Sequence, residues 1–482
     1  MSKKSIFPLL LAFMFAVSAP TGTYAEKESA AGSSVSQISQ TQSVKDDSKN
    51  KKDSTNTDNT SDGSSVAVPE ENFPSLHTDY YLLADLDSGK ILHSKNGSEK
   101  VFPASTTKIL TAIIVLERCN LTDTAVATEE AIAPITMKHS NMGIRVGEEF
   151  TVEQLLYGML VASANDAANV LAVKTAGSLD EFAKLMNSKA HELGAENSNF
   201  VNPHGFHDDN HYTTVDDLAK ITCYAMKNEK FAEIVSTAKY QIPPTDKYNE
   251  TRYLSNTNML ISSNKGSMHL YKGAIGVKTG STDEAGNCLV AAAESKGTRL
   301  LSIVMKCKNE GVGEHAYSFV DTRALFDYGF DNYEHKTIAD TAEVIDSSKV
   351  REAKSGKRVS LSPSEEIRVL LPKDADISTI KAEVQTDEHI KAPIKKGDIL
   401  GTVTYTLNGE TIGETKLVAG NDVERDLLLH IIFTIWDIIS DPIVICAVII
   451  LAVLILYAKN VQKRKQRERR RRLRHLEEDD DD

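Results

Sequence analysis

Three short stretches of the sequence carry residues that could act on one another chemically. In FPASTTKILTA, Ser105 and Lys108 stand three positions apart where an apolar, helically spaced run begins. Residues at i and i+3 of a helix face one another. A lysine in a first turn is opposed by the helix dipole, and apolar neighbours desolvate it. Both effects press the amine towards its neutral form, which can take the proton of the serine hydroxyl and leave a nucleophile. Alone, Ser105 also reads as an N-cap and Lys108 as a solvated side chain. In VASANDAA, Ser163 and Asn165 offer a hydroxyl and an amide in a turn between helical segments. In GVKTGST, Lys278 and Thr279 set a cation and a hydroxyl on a strand, where they could meet an anionic substrate, and Gly280 lets a backbone approach closely.

The elements around these residues must hold them together. YYLLADLDSGKILHS reads as two strands about the turn Asp87-Ser88-Gly89-Lys90. Ile109, Ala112, Ile113 and Leu116 predict a helix with one apolar face. Mostly helical segments continue to about residue 240, and strand character returns at residues 273–280 and in the hairpin that follows. AYSFVDTRALFDYGFDNY closes the unit as a helix. Strands at both ends with helices between them predict an α+β fold, one antiparallel sheet packed against a helical region. Residues 336–425 read as short strands only, with Asn408-Gly409 suited to a type I′ turn, hence a small β domain.

Ser105-x-x-Lys108, Ser163-x-Asn165 and Lys278-Thr279-Gly280, in this order, make up the active-site set shared by penicillin-binding proteins and serine β-lactamases. The chain resembles the low-molecular-mass penicillin-binding proteins that are D-alanyl-D-alanine carboxypeptidases. SANDAANVLAV, NSNFVNPHGFHDDNHYTTVDDLAKI, GVKTGSTDEAGNCLVAAAE and KAPIKKGDILGTVTYTLNGE look like that family's blocks, over about residues 72–420. The resemblance implies a β-lactamase/D,D-peptidase-like transpeptidase fold over residues 72–335. It implies Ser105 as the acylated nucleophile, Lys108 as its base and Ser163 as a proton relay. Asn165 would hold the substrate's peptide group, Lys278 and Thr279 the terminal carboxylate, and the backbone N–H groups of Ser105 and Ser281 the oxyanion. The implied substrate is a peptidoglycan stem peptide ending in D-Ala-D-Ala, with β-lactams as inhibitors, and no cofactor or metal is implied. Three alternatives stand beside this reading: a β-lactamase using Glu192 or Glu196, a cross-link endopeptidase, and a non-catalytic wall scaffold. His204, His207, Asp208 and His211 in HGFHDDNH suggest a zinc set, but the resemblance covers them without a metal.

Charge and hydropathy place the rest. The formal net charge of −13 argues against nucleic acid as a partner. Residues 1–25, with two lysines, an apolar run from Ile6 to Val17 and then small residues, predict a signal peptide cut after Ala25. Residues 26–71 are too polar to offset the entropy of ordering and predict a disordered linker. Residues 427–441 predict an interfacial segment with Trp436 at headgroup level, and residues 442–458 a transmembrane helix. The basic-then-acidic tail 459–482 predicts a cytoplasmic C-terminus, with the rest of the chain extracytoplasmic on the cell membrane. Of five cysteines, Cys288 and Cys307 could form a disulfide: a turn centred on Gly297 and Thr298 would set them opposite one another in a hairpin.

Overall fold

The computed structural model describes residues 72–136, 139–308, 316–387 and 389–478. The signal peptide and linker expected over residues 1–71, and the last four acidic residues, lie outside the described residues.

β1 (Tyr80–Asp85) and β2 (Ile91–Lys95) are joined across a wide gap in sequence to β3 (Ala274–Thr282), β4 (Gly286–Ser295) and β5 (Thr298–Cys307). They form one antiparallel sheet of order β2-β1-β5-β4-β3. Alternate residues serve different cores. Leu82, Ala84, Val290, Ala292, Leu301 and Ile303 pack towards the helical region, whereas Tyr81, Leu83, Leu289, Ala291 and Leu300 pack under the helix α7 (Tyr317–Asn332) with Leu325 and Phe326. Coverage of both faces is why β4 and β5 read as nearly unbroken apolar runs.

The helical region is built around α1 (Lys108–Arg118). The one-faced apolar pattern expected here is exceeded: every residue from Lys108 to Val115 is buried. α2 (Val152–Val161), α3 (Asn165–Ala176), α4 (Leu179–Glu192), α5 (Val215–Ala225) and α6 (Glu229–Ser236) complete the region, and the surround of packed elements leaves α1 no solvent face until its last turn, where Glu117 and Arg118 are exposed. α2 starts on a capping box in which the Thr151 hydroxyl accepts from Gln154 N–H and the Gln154 amide oxygen accepts from Thr151 N–H. The run from Thr151 to Ala176 is broken at Ser163, whose φ of 62° no helix tolerates.

The β4–β5 hairpin corrects the cysteine expectation. Its turn is Lys296-Gly297, with φ of 51° and 80°, one residue earlier than the disulfide required. An extra residue at Lys306 then reverses the alternation, so Cys307 stands opposite Asn287 and faces the α7 side. Cys288 stands opposite Gly280 and faces the helical side. The two thiols lie on opposite faces of the sheet, and all five cysteines are free.

α7 ends at Asn332 and β6 (Tyr333–Ala339) begins at the next residue. β6 pairs with β9 (Ile367–Pro372). β7 (Asp346–Lys349), β8 (Arg358–Pro363), β10 (Lys381–Thr386), β11 (Ile399–Leu407) and β12 (Glu410–Ala419) form a second sheet of order β7-β8-β12-β11-β10 over a core that includes Leu361, Leu371, Val403 and Leu417. Asn408 and Gly409, with φ of 53° and 87°, turn the β11–β12 hairpin. The small domain touches the large one directly. His335 Nδ1 lies 3.2 Å from Thr298 Oγ1, Lys373 Nζ donates to Phe330 O at 3.0 Å, and Tyr333 and Leu370 join the core under α7.

α8 (Leu427–Ile439) docks by one side on this domain: His430 lies 2.7 Å from Glu352, and Asp437 pairs with Arg351 at 3.5 Å. Its remaining surface exposes Leu428, Ile431, Ile435 and Trp436. α9 (Pro442–Glu478) follows as one helix, long and apolar enough at its start to cross a membrane and continuing without a break into the basic segment.

The register makes a countable statement. The chain unfolded in denaturant without reductant is expected to titrate five thiols per molecule, and Cys288 and Cys307 to react only after unfolding. A count of three in the unfolded chain would restore the disulfide.

Candidate active site

Ser105 lies in the 3₁₀ turn Ala104–Thr107 that feeds α1, and Lys108 is the first residue of the helix proper. Ala104 holds a φ of 46°, a left-handed value rare for a residue with a Cβ. The loop of residues 199–213 holds the turn from below. Val101 and Thr213 exchange backbone hydrogen bonds of 2.8 and 2.9 Å, and Thr111 Oγ1 donates to Pro203 O at 2.7 Å. Gly205 has a φ of +84°, and a Cβ there would stand 1.7 Å from the Ala104 carbonyl oxygen. Only glycine allows the two backbones to lie this close.

Lys108 is withdrawn from solvent and has three oxygen partners: Ser105 Oγ at 2.8 Å, Asn165 Oδ1 at 2.7 Å and His204 O at 2.7 Å. Burial, and next the nearby Lys278 cation, hold its pKa well below that of an ordinary lysine. Neutral, the amine has two protons for Asn165 and His204 and a lone pair for the Ser105 hydroxyl.

Ser163, in the helix break, is also nearly buried, and its Oγ accepts from Lys278 Nζ at 3.0 Å. Lys278 donates further to Thr279 O at 2.9 Å. Burial lowers its pKa to about 7. β3 runs directly beside the Ser105 turn: a Cβ on Gly280 would meet Pro103 O at 3.0 Å and Ser105 N at 3.1 Å. Ser105, Lys108, Ser163, Asn165, Lys278, Thr279 and Gly280 thus come together from four separate elements. The Ser281 side chain is exposed at the next position of β3.

Sequence reasoning did not find the parts that support this cluster. His211 is the clearest. Thr107 Oγ1 donates to Ala104 O at 2.8 Å and so must accept from His211 Nε2, 2.8 Å away. His211 Nδ1 then accepts from Val201 N at 3.1 Å. The ring is a neutral Nε2–H tautomer, and burial lowers its pKa to about 4. Both nitrogens are engaged, so His211 is a structural prop in place of the zinc ligand considered above. His204 acts through its carbonyl, while its ring Nδ1 accepts from Phe206 N at 3.1 Å. The PHG sequence signals a turn but not which lysine its carbonyl meets. Among the described residues, the His and carboxylate groups close enough together to share a metal are Asp85, Asp87 and His335, none of them in that loop. Glu192 lies exposed at the end of α4, bonded to Lys189.

The family model described as D-alanyl-D-alanine carboxypeptidase matches residues 66–309. The chain belongs to that family. The small β domain matches a second family model, the penicillin-binding protein 5 C-terminal domain, over residues 333–425. The D-alanyl-D-alanine carboxypeptidase DacF of Bacillus subtilis is 33% identical over 350 residues, 71% of this chain and 85% of the relative. The carboxypeptidase DacC of Escherichia coli is 29% identical over 363 residues, 73% of this chain and 86% of that protein. Among solved structures, penicillin-binding protein 5 of Haemophilus influenzae superposes with a TM-score of 0.60 at 28% identity, covering 73% of this chain and 99% of its own. Carboxypeptidase relatives over most of their lengths make this chain an enzyme of the family, with the mixed helix-and-sheet peptidase fold and the β domain of penicillin-binding protein 5.

Gly205→Ala separates clash from backbone strain. Gly177 has the same φ of +84° with nothing within 4 Å of a Cβ, so Gly177→Ala is expected to cost about 1–2 kcal/mol. Gly205→Ala, forced into the Ala104 carbonyl, is expected to cost at least roughly twice that. Chemical unfolding of both variants checks the difference, and equal costs would mean that the loop yields freely.

Proposed function

We propose that the protein is a serine-type D-Ala-D-Ala carboxypeptidase that removes the terminal D-alanine of peptidoglycan stem pentapeptides through an acyl-enzyme on Ser105. The observation that carries this reading is the 2.8 Å contact between Ser105 Oγ and a buried Lys108 amine whose pKa is driven down. Ser105 Oγ attacks the carbonyl carbon of the penultimate D-alanine as Lys108 takes its proton. The proton passes by way of Ser163, whose Oγ Lys278 Nζ holds at 3.0 Å, to the leaving D-alanine nitrogen. Asn165 orients Lys108 and the substrate's peptide group, and Lys278 and Thr279 hold the terminal carboxylate. The N–H groups of Ser105 and Ser281 face the developing oxyanion; losing one such donor costs about 2.7–4 kcal/mol of transition-state stabilisation. Water then releases the tetrapeptide, and Lys108 serves in reverse. A β-lactam acylates the same serine and leaves slowly. The apolar start of α9 is the membrane anchor, with the catalytic domain exported and the basic tail cytoplasmic, a role in cell-wall maturation following from that position.

D-Alanine release from a synthetic peptide ending in D-Ala-D-Ala, by the full-length chain in detergent, tests the reading. Release is expected from the unaltered protein and none from Ser105→Ala. A protein that binds labelled penicillin yet releases no D-alanine would point to cross-link cleavage instead, and failure of both would leave the scaffold reading.

The pH profile is expected to be bell-shaped, because the reactive form has Lys108 neutral and Lys278 charged. Its alkaline limb follows Lys278, near pH 7. Lys278→Gln removes the cation that depresses the Lys108 pKa, so that pKa rises and the acidic limb moves to higher pH. Penicillin acylation rates between pH 5 and 10 measure both limbs; an unmoved acidic limb would remove Lys108 from the role of base.

A further inference from the structure

The segment Asn256-Thr257-Asn258, just after the strand Arg252–Ser255, belongs to none of the three motifs, yet it is anchored to each side of the site. Asn256 and Asn258 are buried, and their amides are spent on backbone. Asn256 Nδ2 donates to Val235 O and Thr237 O at 3.2 and 2.9 Å, and Asn258 Nδ2 donates to Gly276 O, on β3, at 2.9 Å. Their Oδ1 atoms accept from Asn258 N and Leu260 N at 2.9 and 3.0 Å. Thr257 N donates to Val161 O at 3.1 Å, the last residue of α2 and two before Ser163. The mount is therefore rigid and tied both to the strand that carries Lys278-Thr279 and to the helix end that leads to Ser163. What it presents is a half-buried hydroxyl, with Thr257 Oγ1 2.6 Å from Thr279 Oγ1.

Each of these hydroxyls has one proton, and within the pair one donates and one accepts. If Thr279 donates to Thr257, its proton is spent and it turns only lone pairs to the cleft. If Thr257 donates, the Thr279 proton is free. A carboxylate is an acceptor only, so it selects the second arrangement. We propose that Thr257 is a positioning residue for the substrate's terminal carboxylate: its hydroxyl donates to Thr279 Oγ1 and aims the Thr279 proton at the carboxylate. The inference rests on the carboxypeptidase reading and assigns that reading a residue outside its motifs. A donor into Thr279 Oγ1 also polarises the Thr279 O–H and strengthens the bond it gives.

The test compares two ligands that both engage Ser105 of the full-length chain. One is a D-Ala-D-Ala peptide, which has the carboxylate; the other is an acylaminomethylboronic acid, which adds to the serine oxygen and has none. Thr257→Val keeps the shape and removes the donor, and Thr257→Ser restores it. The valine variant leaves the Thr279 hydroxyl free to rotate and is expected to raise KM for the peptide about tenfold with kcat within about threefold, because that charge-assisted hydrogen bond loses its fixed alignment. Its inhibition constant for the boronic acid should stay within about twofold of the unaltered protein, and Thr257→Ser should behave as the unaltered protein with both. An unchanged KM in Thr257→Val, equal weakening for both ligands, or a serine variant no better than valine would each overturn the role. An unaltered protein that releases no D-alanine would instead overturn the carboxypeptidase reading, and this inference with it.

Discussion

Two amines enclosed in one site, with hydration taken from both, set the terms for the rest of the catalytic domain. A lysine cation is costly to bury and costlier beside another. The fold answers with oxygen atoms fixed on rigid elements. Lys108 meets a serine, an asparagine and a main-chain carbonyl, and Lys278 meets a serine and the carbonyl of its own neighbour. Total burial of the first two turns of α1 follows from the same need, since an exposed flank would rehydrate Lys108. The arrangement has a thermodynamic signature. The Lys278 pKa is about 7 folded and about 10.4 in an unfolded chain, so the unfolded state binds more protons between those values. Its contribution to stability is then greatest above about pH 10.4 and falls as pH drops through that interval. The site therefore weakens the fold near neutral pH.

Strained backbone gathers at the same place. Ala104 and Ser163, neither a glycine, hold φ of 46° and 62°, one just before Ser105 and the other at the hydroxyl that Lys278 meets. Such conformations persist only where the surroundings over-determine them. Here Gly205 and Gly280 let two backbones press on the Ser105 turn from below and beside it. The two glycines relieve crowding so that other residues can be held in unfavourable shapes.

Much of this was legible in the residue string, and the reason lies in range. Ser105 and Lys108 are neighbours on one turn, so local periodicity is enough to pair them. The strands around Asp87-Ser88-Gly89-Lys90 and the hairpin at Asn408-Gly409 follow from turn chemistry over a few residues. What depended on packing at a distance was hidden. Nothing near Ile109 tells that all sides of α1 would be covered, because the covering elements lie as far away as β3. One extra residue at Lys306 reversed the facing of Cys307, and the sequence there has no glycine or proline to warn of it. His211 stands out in the sequence for a metal and Thr257 not at all, and only their contacts across a hundred residues or about twenty reveal how they support the site.

The junction at Asn332-Tyr333 is a joint with no slack. α7 passes directly into β6, the two domains share core residues, and side chains cross the seam in both directions. At its far side the β domain grips α8, which leads into α9. The β domain therefore works as a ruler and not as a leash. On the proposed function, with the C-terminal helix held in a membrane, the cleft stands at a set height above it, and a peptide is accepted or passed over according to the layer of polymer in which it hangs.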